Sequence, residues 1–259
     1  DDPNAGGNHR KSMIRNVEES LQRMQTDYID LLYVHMWEYR TPVEEMMRAF
    51  DDLVRQGKVL YIGVSDTPAW KIVEANLLAR QYGWSPFIGM QLKYSLNDRT
   101  IERDLIPMAA EHGLGCLPWS PLDSGALTGK YSRADLGKDP ESAESGTRGS
   151  GVIKGLTEAK VRNIEALEQI AGRTGKTMSQ VALRWTLQKP GVTSTIIGAR
   201  TPEQLEDNLG CLDFVLSAED MRVLDEASAI DLGFPHEFLR KEMPTKAIAG
   251  ETKTPIVRA

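Results

Sequence analysis

Residues 41–65 read TPVEEMMRAFDDLVRQGKVLYIGVS. Thr41 is placed to cap a helix, Pro42 suits its first position, and Glu44 completes a capping box. Behind them Val43, Met46, Met47, Phe50, Leu53 and Val54 recur on one helical face. Gly57 is the expected terminator, because the left-handed conformation that follows a helix costs glycine little. Val59 to Val64 is then a short, almost continuously apolar strand. The building unit is therefore a capped amphipathic helix, a glycine and a buried strand.

The unit recurs in both directions. Upstream, Ile14, Val17, Leu21 and Met24 line one helix face, and Tyr28 to Val34 is rich in strand formers. Downstream, Thr67-Pro68 opens a helix closed near Gly83, and Phe87 to Leu92 is a strand. A helix near Thr100 to His112 ends at Gly113 and feeds Leu114 to Leu117. Helices near 157–173 and 177–188 precede the strand Val192 to Ile197. Thr201-Pro202-Glu203-Gln204 repeats the capping box, and Ser217 caps a helix near 218–228. Five strands, most separated by helices, predict a parallel sheet covered on both faces. Unit spacing of roughly thirty residues suits a β/α barrel. The rival, a doubly wound sheet, finds no Gly-x-Gly-x-x-Gly after a first strand. One domain over 1–259 is expected, with a long polar loop near 132–156 and a C-terminal arm over 229–259 that carries Pro235, Pro244 and Pro255.

The chain's 259 residues are 41% hydrophobic, enough for one sizeable core, and no run approaches a membrane span. Asp1 to Gly7 has neither the basic nor the apolar region of a signal peptide, and reads as the interior of a loop. With a net charge of −6 and no dense Lys/Arg stripe, nucleic acid and anionic membranes are not the expected partners. An anionic ligand must then be held by local cations and backbone amides. Cys116 and Cys211 lack metal-like spacing and read as buried thiols, so a cytoplasmic setting is expected.

Parallel β/α barrels carry function at the C-terminal ends of their strands. Those positions are His35-Met36-Trp37-Glu38, Ser65-Asp66, Gln91 with Tyr94, Trp119-Ser120-Pro121-Leu122, and Gly198-Ala199-Arg200. One histidine, neutral hydrogen bonders, an aromatic and an arginine suit a polar cofactor with one anionic end. No second histidine or carboxylate stands at ligand spacing, so no metal is expected. Gly198 to Pro202 joins a glycine, a guanidinium and the free amides of a helix start, which can grip phosphate. The same segment also reads as a capped helix with an exposed Arg. Trp119 offers a face for a nicotinamide ring, or is simply a core residue. Gly172-Arg173-Thr174-Gly175-Lys176-Thr177 is no phosphate loop: Ile170 stands where the motif needs glycine, and the segment joins two helices. Gly146, Gly149 and Gly151 follow no strand.

The stretch Arg10 to Leu21, Thr26 to Leu31 and Val34-His35-Met36-Trp37 resembles the fourth-strand region of the aldo-keto reductases. So do Gly57-Lys58-Val59 with Ile62 to Ser65, Gln91 with Tyr94-Ser95, Trp119 to Leu122 with Gly125 and Leu127, and Gly198-Ala199-Arg200 with Gln204, Leu205 and Asn208. The resemblance runs in register from about residue 4 to about residue 228. It is closest to the branch of aryl-alcohol dehydrogenases and potassium-channel β subunits. It implies a (β/α)8 TIM barrel of which this chain covers units 4–8 plus the C-terminal arm. It also implies an oxidoreductase that passes hydride from NADPH to an aldehyde or ketone. By that resemblance His35 polarises the substrate carbonyl. Ser65, Asp66 and Gln91 hold the nicotinamide carboxamide, and Trp119 stacks on the ring. Ser120, Pro121, Leu122, Ser124, Gly125, Leu127 and Lys130 line the pyrophosphate. Gly198, Arg200, Gln204, Asp207 and Asn208 take the adenosine and its 2′-phosphate, favouring NADP over NAD.

There are departures. The family's proton-donating Tyr, with its Lys and Asp, sits on or after the first three strands, which this chain does not include. Asp66 replaces a usual Asn, Glu38 a common Asp, and Asp207 a common Glu. Two rival expectations follow: an NADP(H)-binding regulatory subunit lacking a proton donor, or a lyase or cyclase on the same scaffold. Self-association is expected through the exposed edges Tyr28–Val34 and Val192–Ile197.

Overall fold

A computed structural model describes residues 5–142, 149–241 and Ala247. The elements run α1 (Arg10–Met24), β1 (Ile29–Val34), α2 (Val43–Arg55), β2 (Val59–Ser65), α3 (Ala69–Tyr82), β3 (Phe87–Lys93), α4 (Leu105–His112) and β4 (Gly115–Trp119). Then come α5 (Gly149–Lys154), α6 (Glu158–Thr174), α7 (Met178–Leu187), α8 (Pro202–Leu209), α9 (Ala218–Ala227) and α10 (His236–Leu239). One sheet holds the strands in the order β1-β2-β3-β4, with β1–β2 and β2–β3 both parallel. Strand, helix, strand in parallel is what the repeated unit predicts. The chain divides into two compact units, residues 1–92 with 104–117, and residues 93–103 with 118–259.

In the first unit the sheet's two faces differ in kind. Register pairs Val34↔Val64 and Ile62↔Phe87 put apolar residues on the helix-covered face. There Phe87 meets Phe50 of α2 edge-on, ring centroids 5.8 Å apart. The other face carries the pair Tyr33↔Gly63 and its neighbour Gly89. A Cβ at Gly63 would lie 2.5 Å from the Tyr33 ring, so glycine is required for that ring to lie across the strands. Gly57, at φ 71°, closes α2 as expected, and the Lys58 amide reaches back to the Leu53 carbonyl at 3.1 Å.

The second unit is built on helix packing, with α6 against both α7 and α9. Val161, Leu167, Ile170 and Val181 are buried between them. Trp185 is wholly buried, and its indole N–H donates to Asp225 at 2.9 Å. Arg99 lies over that indole and forks onto Glu102 at 2.8 and 2.9 Å.

Four expectations need correcting. Val192 to Ile197 forms no strand: among the described residues Val192 makes only an isolated bridge, and the Ile196 amide donates to the Pro118 carbonyl of β4 at 2.8 Å. Pro118 has no N–H, which removes one rung of any ladder with this segment. Thr41 does not cap α2. Its hydroxyl and amide both donate to Glu38, and Pro42 occupies the cap position without a side-chain bond. Tyr94, at a strand end, is only 1% exposed and donates to Glu102 at 2.5 Å. Burial, then the Glu102 charge, push its phenol pKa far up, so it is a packing residue. Finally, the polar segment 132–156 is not all loop, since α5 and two short 3-10 turns lie within it. Residues 143–148 of that segment, and 242–246 and 248–259 of the C-terminal arm, fall outside the described residues. The arm's described part includes α10.

Candidate functional site

The first unit supplies three adjacent strand ends. His35 follows the last residue of β1 and is exposed. Two residues on, the Trp37 amide donates to the Asp66 carbonyl at 3.4 Å, joining the loop after β1 to the loop after β2. Ser65 ends β2, is buried, and donates its hydroxyl to the Gln91 carbonyl at 3.1 Å. That bond fixes the spacing of β2 and β3 where Gln91 projects, half-buried. Asp66 is exposed, with φ 40°. Left-handed backbone costs a non-glycine residue about 1 kcal/mol, and such strain gathers at functional positions.

Glu38 organises this region. Its carboxylate accepts from the amides of Asn8 at 3.3 Å and Thr41 at 3.1 Å, and from the Thr41 hydroxyl. Asn8 also donates its side-chain amide to the Met36 carbonyl at 2.9 Å. Burial alone would raise the Glu38 pKa, but these hydrogen bonds outweigh it and hold the carboxyl below its ordinary value. Glu38 thus staples the segment that carries His35 and Trp37.

The second unit supplies the loop after β4 and the head of α8. Trp119 ends β4, half-buried, and its carbonyl accepts from the Tyr94 amide at 3.3 Å. Then come four residues with positive φ: Ser120 at 55°, Asp123 at 46°, Ser124 at 58° and Gly125 at 102°. Pro121, Ala126 and Leu127 are buried and anchor the loop, while Ser124 and Lys130 are exposed. Leu122 is half-buried. Among the described residues neither the Leu122 nor the Ser124 amide finds an acceptor. Successive turns of this kind present N–H groups to an anion.

The Ile196–Pro118 bond brings the segment leading to Gly198 alongside β4. Gly198, Arg200 and Gln204 are exposed. Thr201 caps α8 as predicted, accepting from the Gln204 amide at 3.3 Å, with Pro202 at the first helical position. The Gln204 side chain turns back to the Arg200 amide at 3.0 Å and not to the cap. Asp207 is committed to α7, accepting from Thr177 and Gln180 at 3.1 Å each. Asn208 is buried. The exposed guanidinium therefore stands at a helix start with the dipole's positive end beside it.

Two further polar residues, Asn97 and Lys160, reach the loop after β4, and a third, Asn163, holds Asn97; sequence spacing does not announce them. Asp123 accepts from Asn97 and from Lys160, both at 2.9 Å, on one carboxylate oxygen. Asn163 donates to the Leu96 carbonyl and to Asn97, both at 3.0 Å. Cys116 and Cys211 are buried free thiols, and burial pushes Cys116 up to about 11. Among the described residues no cluster of three His, Cys, Asp or Glu could hold a metal, and no helix is long and apolar enough to cross a membrane.

Residues 1–229 match the profile of the Aldo/keto reductase family. The norsolorinic acid reductase of Aspergillus flavus is 42% identical over 245 residues, 94% of this chain and 59% of that protein. An aryl-alcohol dehydrogenase of Pestalotiopsis microspora is 38% identical over 238 residues, 91% of this chain and 59% of that protein. The aryl-alcohol dehydrogenase [NADP(+)] of Phanerodontia chrysosporium is 38% identical over 231 residues, 89% and 60% of the two chains. The chain thus spans about three fifths of the length of these relatives. With the family profile matched over most of its length, the chain belongs to the aldo/keto reductase family.

Proposed function

We propose that the protein is an NADPH-dependent carbonyl reductase of the (β/α)8-barrel type, acting on an aldehyde or ketone. The observation that carries this reading is the loop after β4, whose Leu122 and Ser124 amides find no acceptor among the described residues, with the ring face of Trp119 before it. Those groups fit a dinucleotide's pyrophosphate and nicotinamide, and the head of α8 with Arg200 fits a 2′-phosphate. When bound, the dinucleotide would supply the hydride for the carbonyl carbon, while the oxygen takes its proton from the general acid that the resemblance places on the first three strands.

The chain's own residues orient and polarise. His35 donates a hydrogen bond to the substrate oxygen, drawing charge from the carbonyl carbon. Ser65 keeps β2 and β3 in place so that Gln91 can meet the carboxamide, with Asp66 beside it. Lys130 adds positive charge to the loop amides. Relatives named for aryl alcohols and for norsolorinic acid support an alcohol–carbonyl interconversion.

The test is loss of NADPH absorbance on adding an aromatic aldehyde to the purified full-length protein, first three β/α units included, beside His35→Ala. The expected result is aldehyde-dependent consumption that the substitution lowers by about a hundredfold, the scale of a positioned proton-bearing group. Consumption that ignores the aldehyde, or ignores His35, would refute the assignment.

A further inference from the structure

Asp123 presents a problem that the proposed function makes acute. It lies in the middle of the loop expected to face a pyrophosphate, and a carboxylate there would repel a phosphate anion. The same carboxylate is held by Asn97 and Lys160 on one oxygen, and Asn97 is itself held by Asn163. Lys160 and Asn163 are three apart on α6 and so share a face of that helix. Lys160, Asp123 and the exposed Ser124 also border an open cavity of about 370 Å³, lined as well by Ala126, Gly151 and Val152. An ammonium has three donors, and Asp123 takes one of them.

Resting on that reading, we propose that Lys160 and Asp123 form a charge clamp that shapes and neutralises the pyrophosphate-facing loop, and that both are positioning residues for cofactor binding. Asn97 and Lys160 together fix the Asp123 side chain, which holds its backbone in the left-handed conformation that turns the Ser124 amide outward. Lys160 also cancels the carboxylate's charge at the one place where an anion must approach. The two functions separate in a simple way. Removing Lys160 alone leaves Asp123 uncompensated, whereas replacing Asp123 by Asn as well removes the charge and keeps an acceptor for Asn97.

The experiment is calorimetric titration of the unaltered protein, Lys160→Met, and Lys160→Met with Asp123→Asn. Two probes are used: NADPH, and 2′-AMP, which has the adenosine and 2′-phosphate but no pyrophosphate. Lys160→Met is expected to weaken NADPH by about tenfold, the scale of one charge-assisted bond, and the double variant by about threefold. Binding of 2′-AMP is expected to stay unchanged in both. The clamp is overturned if Lys160→Met leaves NADPH unaffected, if the double variant is worse than the single, or if 2′-AMP weakens in parallel, which marks general damage. If the unaltered protein binds neither probe, the proposed function fails and the clamp fails with it. Arg200-dependent NADPH binding with an indifferent Lys160 overturns the clamp alone.

Discussion

Two strand-end loops, one in each compact unit, solve the same mechanical problem with different charges. The loop after β1 is held by Glu38, whose donors are backbone amides and a hydroxyl. The loop after β4 is held by Asp123, whose donors are a neutral amide and a full cation. Both loops contain residues with positive φ, Tyr39 in the first and Ser120, Asp123 and Ser124 in the second. The difference follows from what each loop is proposed to meet. A neutral carbonyl substrate tolerates a carboxylate held by neutral donors, while a pyrophosphate does not tolerate one without a counter-charge.

The largest effect expected from this contrast is on the first loop. Glu38→Ala removes the acceptor of three hydrogen bonds, two of them to backbone amides, and is expected to cost about 2 kcal/mol in denaturant unfolding. An unchanged midpoint would mean the loop is held by packing alone. The same carboxylate also gives the first unit a pH signature. Its pKa is lower folded than unfolded, so its stabilisation is complete above the ordinary carboxylate range and fades as pH falls through the folded value. Glu38→Gln should therefore differ most from the unaltered protein at neutral pH, and the gap should close in acid. A gap that widened in acid would contradict the assignment.

A smaller effect concerns the second loop's inner partner. Asn97→Ala leaves Lys160 on Asp123 but removes one grip, and NADPH affinity is expected to fall about threefold. An effect larger than that of Lys160→Met would shift the weight from charge to geometry. The smallest expected change is favourable. Ser124→Gly relieves left-handed strain and should raise stability by about 0.5 kcal/mol in thermal unfolding, with little change in binding. A stability loss would mean the Ser124 side chain has a partner role.

Much of the scaffold was legible because it is local. Thr201 and Pro202 cap α8 within four residues of sequence, and Gly57 ends α2 beside the residues that need it. Val43, Met46, Met47, Phe50 and Leu53 are all buried on α2, as their spacing predicts. Elements decided by a competing partner depart from their local pattern. Val192 to Ile197 has the composition of a strand, but a strand exists only with a ladder, and Pro118 cannot supply one of its rungs. Thr41 has the pattern of a cap, but Glu38 offers its hydroxyl a charged acceptor first. The clamp on Asp123 is not legible in the sequence because Asn97 and Lys160 lie 26 and 37 residues away. No periodicity connects such positions. The one local hint is a run of Asp, Ser and Gly after a strand, residue types suited to left-handed backbone.

On the proposed function, the second unit reads the phosphate-bearing half of NADPH. Its most direct test is a calorimetric comparison of NADPH and NADH binding to the unaltered protein and to Arg200→Ala. NADPH is expected to bind more tightly than NADH, and Arg200→Ala to weaken NADPH by about tenfold while barely touching NADH. Equal affinities for the two cofactors, or a substitution that weakens both alike, would contradict it.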